Sequence, residues 1–125
     1  KIKSVLIPIC SWISKKADKK RPYFVGSAGG LGTGNTTISS LIRIILTKYF
    51  KLKVFRISID DFYKTRKERI NLSKRFHPML LTRGVPGTHD INMMLNFFKK
   101  SKIKKFKRLK LPTFNKAIDD RFNKL

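Results

Sequence analysis

The sequence feature that most constrains the fold is a dense glycine cluster that ends where a helical pattern begins. Residues 29–36 read GGLGTGNT and contain four glycines. So much glycine excludes a regular helix or strand, because each glycine loses extra conformational freedom when it is ordered. From Thr36 onwards, apolar residues recur at the spacing of one helix face, which predicts a helix. The glycine turn is therefore expected to present backbone N–H groups at a helix N-terminus.

The spacing of this turn matches a phosphate-binding loop of the form G-x-x-x-x-G-K-[ST], with asparagine at the lysine position. In such a loop, glycines let successive N–H groups turn toward a phosphate, and the helix dipole adds to the attraction. The hydroxyl of Thr36 would face Mg²⁺. A dinucleotide-binding loop fits less well, because its third glycine would fall at Asn35, and a chance glycine turn stays open. The candidate nucleotide-binding residues are Gly29, Gly30, Gly32, Thr33, Gly34, Asn35, Thr36 and Thr37.

The asparagine at position 35 has a direct chemical consequence. Its amide can donate a hydrogen bond, but it carries no charge and is too short to reach a γ-phosphate. Charge-assisted hydrogen bonds are about twice as strong as neutral ones. Phosphoryl transfer depends almost wholly on positioning and electrostatics, so we expect this change to cost several powers of ten in turnover.

Two short apolar segments flank the turn and its helix. Residues 22–26 (PYFVG) lead into the turn, and residues 53–59 (KVFRISI) follow the helix with alternating, β-branched side chains. Strand, turn, helix and strand in this order form a βαβ unit, so the sequence predicts an α/β fold with a parallel sheet. Ligands of such sheets bind beyond the carboxyl ends of the strands, where the glycine turn and the pair Asp60-Asp61 both fall.

The acidic pair at the end of the second segment has two interpretations. A carboxylate at Asp60 or Asp61 can accept the proton of a substrate hydroxyl as that hydroxyl attacks a phosphate. Aspartate is also a good helix N-cap, so the pair can equally serve the fold. From these residues alone, the two interpretations are evenly balanced.

The rest of the chain is predicted to alternate between helices and loops. Helices are expected over residues 5–13, 65–76 and 90–102, loops over 77–89 and 112–121, and a further strand over 106–111. We expect one incomplete domain over residues 1–125, with a helix and a connection in 1–21 and the ligand-binding part in 22–125.

Four further segments resemble one known family. They are SIDDFY at 58–63, followed closely by Thr65, Arg66, Glu68 and Arg69, then HPML at 77–80, TRGVPGTHD at 82–90 and LPTFNKAIDDR at 111–121. With the glycine turn, they closely resemble the D-glycerate 3-kinase family, which is related to the uridine kinase and phosphoribulokinase branch of P-loop kinases. The resemblance extends from Pro22 to Arg121, and the run at 82–90 is its most specific part.

This resemblance implies a three-layer P-loop NTPase fold whose parallel sheet is incomplete on its C-terminal side. It implies transfer of the γ-phosphate of ATP, with Mg²⁺, to a hydroxyl of a small hydroxy acid, D-glycerate. Asp60 would be the base and would help Thr36 to hold Mg²⁺, while Asp61 would assist the metal or the substrate. Because the chain begins at Lys1 and stops at Leu125, we expect kinase sequence beyond both ends.

The resemblance also implies a pocket for the acid substrate. Its members would be Tyr63, Arg66, His77, Arg83, His89, Lys116 and Arg121. Each of the cations can equally be a solvated charge, because a sequence carries no geometry. The chain departs from the family pattern at Asn35 and at Asn115, where aspartate is expected. An active kinase and a catalytically inactive, nucleotide-binding remnant therefore both stay open.

Composition bears mainly on partners and compartment. The chain has 30 Lys and Arg against seven Asp and Glu, a net charge of +23. Such a charge suits a polyanion, but Lys outnumbers Arg by 21 to 9, whereas readers of nucleic acid favour arginine. Nucleic acid is therefore not the expected partner. The single Cys10 suits a reducing, cytoplasmic compartment, no apolar run is long enough to predict a membrane span, and the oligomeric state is left open.

Overall fold

The computed structural model describes residues 2–18, 20–30, 32–103 and 110–122 of the chain. Two compact units divide it, unit 1 over Lys1–Arg56 and unit 2 over Ile57–Leu125. Each unit is described by itself below. Within the described ranges, no helix is long and apolar enough to cross a membrane.

Unit 1 consists of two helices that share a small core. Helix α1 spans Ile2–Lys16 and helix α2 spans Asn35–Lys48, which confirms the two helices predicted here. Their facing side chains Cys10, Ile13 and Leu46 are buried. Burial raises the pKa of the Cys10 thiol, because a thiolate loses its hydration in apolar surroundings. The core of unit 1 is therefore the seam between α1 and α2.

The two strands predicted in unit 1 are wrong for the described structure. Neither residues 22–26 nor residues 53–58 are in a strand, and Ile59 begins a short 3-10 helix. Side chains that a buried strand would cover are exposed, including Val25 at 52% and Phe55 at 61%. A parallel strand requires at least one hydrogen-bonded neighbour and a sheet that is covered on both faces, and the described residues supply no such neighbour. The parallel sheet and its three layers stay predictions.

Unit 2 contains two helices, two one-turn 3-10 helices and a minimal hairpin. Helix α3 spans Arg66–Arg75 and helix α4 spans Ile91–Ser101, so the helices predicted at 65–76 and 90–102 are confirmed. The 3-10 helices are Ile59–Phe62 and Pro78–Leu81. Strands β1 (Phe114–Asn115) and β2 (Asp120–Arg121) pair in antiparallel register.

Two predictions for the C-terminal part need correction. Residues 112–121 were expected to be a loop, but they form the β1–β2 hairpin, whose four-residue turn allows two short strands to pair. Glycine and proline punctuation could not reveal such a hairpin, since its turn residue Asp119 adopts φ 55° without being glycine. The strand expected at 106–111 lies largely outside the described residues, and Lys110 and Leu111 are not in a strand.

Side-chain caps fix where the elements of unit 2 begin. Thr65 and Glu68 form a reciprocal capping box at the start of α3, and Asp90 accepts a hydrogen bond from the Met93 N–H at the start of α4. Burial opposes ionisation of Glu68. The hydrogen bonds from Thr65 and the nearby cations nevertheless lower the pKa of Glu68 below its usual value. These acids therefore stay ionised where helix N-termini favour negative charge.

The side chain of Arg69 ties three parts of unit 2 together. It is fully buried in α3. Its Nη1 donates to the carbonyl of Leu81 at 2.6 Å, and its Nη2 donates to the carbonyl of Asp119 at 2.6 Å. The Asp119 carboxylate lies 2.9 Å from Nη2. Helix α3, the end of the second 3-10 helix and the hairpin turn thus meet on one guanidinium, whose burial is offset by paired hydrogen bonds.

We predict that Arg69→Met lowers the local stability of unit 2 by about 3–5 kcal/mol, because three carbonyls and a carboxylate lose their buried cation. Native-state hydrogen exchange of the α3 amides measures this free energy. Arg75→Met is the matched control, since Arg75 is exposed on the same helix and should change the value by less than about 0.5 kcal/mol. Equal effects of the two substitutions would contradict the role given to Arg69.

Candidate functional site

The glycine turn of unit 1 is closed across its mouth by its own side chains. Gly32 and Gly34 have φ 77° and 80°, a left-handed conformation that glycine adopts without steric cost. The Asn35 amide donates to the carbonyl of Gly29 at 3.1 Å, and the Thr33 hydroxyl donates to the carbonyl of Gly30 at 2.8 Å. A Cβ on Gly29 would lie 2.5 Å from Oδ1 of Asn35. The side chain at the lysine position therefore fills the turn.

Helix α2 begins directly after this turn without a side-chain cap. Its N-cap residue is Gly34, which provides no side chain to accept from the first N–H groups, and Thr36 and Thr37 are exposed. The first turn also attracts a cation that was not predicted. Nη1 of Arg56 donates to the carbonyl of Thr36 at 3.1 Å and to the hydroxyl of Ser40. The turn thus offers backbone donors, a neutral amide and a guanidinium on the flank of its helix.

The two aspartates of the acidic pair have different roles in unit 2. Asp61 is structural, because its Oδ2 accepts from the N–H of Ser58 at 2.9 Å and its Oδ1 accepts from the N–H of Phe114 at 3.2 Å. It completes a capping box at the first 3-10 helix. Asp60 makes no such cap. Its Oδ2 lies 2.7 Å from Nζ of Lys116, in the turn of the hairpin. Asp61 therefore serves the fold as a cap, whereas the base role of Asp60 stays a prediction.

Asp60 and Lys116 lie in a cleft of about 310 Å³ on unit 2. The hydrogen bond from Lys116 is the main reason why the pKa of Asp60 lies below its usual value, since it outweighs the partial burial of the carboxyl. Burial, and then the adjacent Asp60 carboxylate, raise the pKa of Tyr63. At neutral pH the cleft thus holds an ionised aspartate beside a protonated tyrosine. Its lining residues are Asp60, Tyr63, Thr82, Arg83 and Lys116.

Arg83 adds a second cation to this cleft. Its Nε lies 2.8 Å from Oδ1 of Asp119, and its guanidinium carbon lies 5.4 Å from the ring centroid of Phe114. The side chain of Arg83 is 30% exposed. The cleft therefore carries Arg83, Lys116 and Asp60, a net charge of +1 before any ligand enters.

The aromatic wall of the cleft is formed by Tyr63 and supported by His89. Their rings stack with centroids 4.2 Å apart. Nε2 of His89 is buried, and within the described ranges it has no hydrogen-bond partner. Arg121 stands behind the wall, where its Nε donates to the carbonyl of Tyr63 at 2.7 Å and its Nη2 donates to Asp90 at 3.0 Å. His89 and Arg121 are thus placed to hold Tyr63 rather than to line the cleft.

The structure does not bring every predicted substrate residue to this cleft. Arg66 is exposed at the start of α3, and its main-chain N–H donates to Asp120 at 3.0 Å. His77 caps the second 3-10 helix, because its Nδ1 accepts from the N–H of Met79 at 3.2 Å. Neither side chain lines the cleft. Of the predicted substrate residues, three line the cleft: Tyr63, Arg83 and Lys116. His89 and Arg121 support Tyr63, and Arg66 and His77 have other contacts.

Comparison with curated proteins gives matches to kinases. The chain is 38% identical to an uncharacterized kinase, mug58, of Schizosaccharomyces pombe over 85 residues, which cover 64% of the chain and 30% of that protein. It is 27% identical to the pantothenate kinase of Streptococcus gordonii over 107 residues, or 85% of the chain and 33% of that protein. It is 34% identical to the probable ATP-dependent kinase TDA10 of Saccharomyces cerevisiae over 79 residues, or 60% of the chain and 27% of that protein.

The chain is similar in sequence to kinases. It spans about a third of the length of these curated relatives. No family model and no solved structure matches it. The names of these relatives support the resemblance to kinases, but they do not distinguish the D-glycerate 3-kinase family from other kinases.

Three residues at or behind the cleft were missed as site residues. Thr82 lies within the TRGVPGTHD run, Asp119 lies within the segment 111–121, and Arg69 lies in the helical segment 65–76. The resemblance marked these stretches without saying which side chains face inward. No sequence signal identifies Arg69 as a buried residue. Arginine side chains are rarely buried in proteins, so a sequence pattern places an arginine of α3 at the surface.

Each unit has one side chain with an oxygen atom that could be a ligand of Mg²⁺: the Thr36 hydroxyl in unit 1 and the Asp60 carboxylate in unit 2. The described part of the chain contains no group of three or more His, Cys, Asp or Glu side chains that could hold a metal ion. Mg²⁺ usually binds one or two carboxylates together with phosphate oxygens and water, so it needs no such protein cage. Asp60, with a carboxylate that is 37% exposed, and the exposed Thr36 have the donor chemistry that this ion prefers.

We predict that Lys116→Met raises the pKa of Asp60 toward the usual aspartate value, since it removes the hydrogen bond that lowers it most. Carboxyl ¹³C titration by NMR measures this directly. A depressed folded pKa stabilises the protein above the usual aspartate pKa, and that contribution is lost as pH falls through the folded pKa. The variant should therefore lose less stability on acidification. Lys99→Met, on the exposed face of α4, is the control, and an unmoved Asp60 pKa in Lys116→Met would refute the pairing.

Proposed function

We propose that the chain is part of an enzyme that transfers the γ-phosphate of ATP to a hydroxyl group of a small carboxylic acid. The single observation that carries the proposal is the Asp60 carboxylate, which lines a cleft that also holds two cations. The glycine turn before α2 and the similarity to kinases support the nucleotide half of the reaction. Because the chain covers a third of these relatives, the complete site would include residues outside it.

In this reaction Asp60 would act as the base. The acceptor hydroxyl loses its proton to the carboxylate while its oxygen forms a bond to the γ-phosphorus, and the bond from that phosphorus to the β-phosphate oxygen breaks to release ADP. Asp60 is ionised at neutral pH, as an aspartate with its usual pKa also is, and so can accept a proton. Tyr63 stays protonated beside it, and its hydroxyl donates a hydrogen bond to the Asp60 carboxylate.

The charges of the cleft favour an acceptor that is itself an anion. Arg83 and Lys116 outnumber Asp60 among its lining residues. D-Glycerate, which the sequence resemblance implies, and pantothenate, which is named in several relatives, are both carboxylates that carry hydroxyl groups. We propose this shared chemistry as the acceptor class, with D-glycerate as the first compound to test.

The glycine turn of unit 1 would hold the phosphates of ATP through the backbone N–H groups of residues 29–37. Thr36 in unit 1 and Asp60 in unit 2 are each proposed as an oxygen ligand of Mg²⁺. When bound, Mg²⁺ neutralises charge on the transferred phosphoryl group. The chain's own contribution is to orient the acceptor in the cleft and to take its proton.

A second candidate function is favoured by the contacts of Asn35. Its amide spans the turn to the carbonyl of Gly29 and brings no charge to a phosphate. A neutral side chain that closes the turn suits a protein that binds a nucleotide weakly and does not transfer its phosphate. An inactive remnant of a kinase is therefore the alternative to an active enzyme.

We predict that Asn35→Lys tightens ATP binding by about tenfold and raises turnover by about 10²-fold or more, since a charged donor replaces a neutral one. Calorimetric titration with MgATP and a coupled ADP-release assay with D-glycerate and with pantothenate make the comparison. Thr47→Lys adds the same charge at an exposed position near the other end of α2 and is the control. ATP binding without turnover in both versions of residue 35 would favour the remnant, and no ATP binding by either would end the proposal.

We also predict that Asp60→Asn lowers turnover by about 10²–10⁴-fold while ATP binding is retained, because general bases contribute that much. The test uses whichever version of residue 35 turns over. Asp18→Asn, in the connection of unit 1, removes the same charge outside the cleft and should leave turnover unchanged. Full activity of Asp60→Asn would show that another group accepts the proton.

A further inference from the structure

Three charged side chains of unit 2 form a series of ion pairs that ends in the cleft. Arg69 is fully buried, Asp119 lies in the turn of the hairpin, and Arg83 lines the cleft. Nη2 of Arg69 lies 2.9 Å from Oδ2 of Asp119, and Nε of Arg83 lies 2.8 Å from Oδ1 of the same carboxylate. Asp119 thus connects an immobile cation to one that faces the cleft.

The ion pair with Asp119 uses only one edge of the Arg83 guanidinium. Among the residues that the structure describes, the ion-pair contact of Arg83 is made through Nε. It is a charge contact at short distance rather than an aligned hydrogen bond, since Oδ1 of Asp119 has no hydrogen-bond partner in the described part of the chain. The guanidinium also lies over the ring of Phe114. Its terminal Nη atoms therefore keep the two parallel donors that match a carboxylate.

We propose that Asp119 is a positioning residue that holds the Arg83 guanidinium for the carboxylate group of an acceptor in the cleft. The inference rests on the proposed function in one respect, that this cleft is the acceptor site. Asp119 does not touch the acceptor. It acts through Arg83, and Arg69 acts through Asp119.

The backbone of the hairpin turn supports this role. Asp119 has φ 55°, a left-handed conformation that glycine, asparagine and aspartate adopt more readily than other residues. Its carbonyl accepts from Nη2 of Arg69 at 2.6 Å, so Arg69 holds both the main chain and the side chain. Asparagine tolerates the same backbone conformation and can still accept a hydrogen bond. Asp119→Asn therefore removes the charge with little change in the turn.

Two effects of the Asp119 carboxylate on anion binding oppose each other. Its negative charge, on the far side of Arg83 in a site open to water, weakens the binding of an anion by about twofold. Its hold on Arg83 removes most of the rotamer freedom that a free arginine would lose on binding, which is worth about tenfold or more. Orientation outweighs repulsion, so Asp119→Asn should bind a carboxylate roughly fivefold more weakly.

The experiment is a calorimetric titration of the chain, without ATP, with D-glycerate and pantothenate and with their neutral counterparts glycerol and pantothenol. We expect the unchanged chain to prefer the carboxylates. Asp119→Asn should weaken carboxylate binding by roughly fivefold and leave binding of the neutral compounds unchanged. Asp18→Asn removes an equal charge elsewhere and should change neither.

A double-mutant cycle tests whether Asp119 acts through Arg83. Arg83→Lys keeps the charge but loses the paired donors, so it should weaken carboxylate binding by itself. Adding Asp119→Asn should then cost nothing further. Additive losses would overturn the proposal, as would equal or tighter carboxylate binding by Asp119→Asn, or no carboxylate preference in the unchanged chain.

Folding and function are separated by two further measurements. Hydrogen exchange of the α3 amides shows whether Asp119→Asn keeps unit 2 folded. If it does not, Arg83→Lys alone decides, and unchanged carboxylate binding in that variant overturns the proposal. The titrations need no ATP, so a chain that binds carboxylates through Arg83 but never transfers phosphate would refute the proposed reaction and support the positioning role. A chain that transfers phosphate, but whose carboxylate binding is unchanged by Asp119→Asn, would support the proposed reaction and refute the positioning role.

Discussion

The fold of unit 2 depends on a buried cation that is fully paired. Arg69 has no exposed surface, and a lone guanidinium in that position would be strongly unfavourable. It is stabilised because three carbonyls, of Lys64, Leu81 and Asp119, and the Asp119 carboxylate converge on it. The same convergence fixes the hairpin turn, from which Lys116 reaches Asp60. The geometry of the cleft is therefore a consequence of how one buried charge is satisfied.

Local patterns were sufficient to predict the helices. Apolar spacing marked α1, α2 and α4, and residues 65–76 were expected to be helical. The capping box of Thr65 and Glu68 at the start of α3 is a finding of the structure. The strands could not be predicted in the same way, because a strand exists only through hydrogen bonds to a neighbour. Residues 22–26 and 53–58 have strand-like composition, yet the described structure gives them no pairing. Residues 114 and 115 have little strand signal and pair nonetheless.

The candidate site shows a similar division between residue type and geometry. The sequence indicated Asp60, Tyr63, Arg83 and Lys116, and the cleft contains all four. The residue pattern alone could not separate Asp60 from Asp61, because both are carboxylates in one 3-10 helix. The hydrogen bonds from Ser58 and Phe114 to Asp61 distinguish them. The residue pattern also left out Asp119, whose importance comes from two arginines that are distant in sequence. Pairing over such separations is invisible to short-range patterns.

The arrangement of charged side chains in and behind the cleft favours an anionic ligand over an uncharged one. From the interior outwards, the ion pairs alternate as Arg69, Asp119 and Arg83, while Lys116 and Asp60 form a separate pair at the cleft. Arg69 and Asp119 neutralise each other, so the charge that an entering ligand meets is set by Arg83, Lys116 and Asp60. An acceptor with one carboxylate brings this set to neutrality, whereas an uncharged acceptor leaves its net charge of +1 uncompensated in a partly desolvated site. Because an unpaired charge costs more where water is excluded, closing the cleft around a ligand would strengthen the preference for an anion.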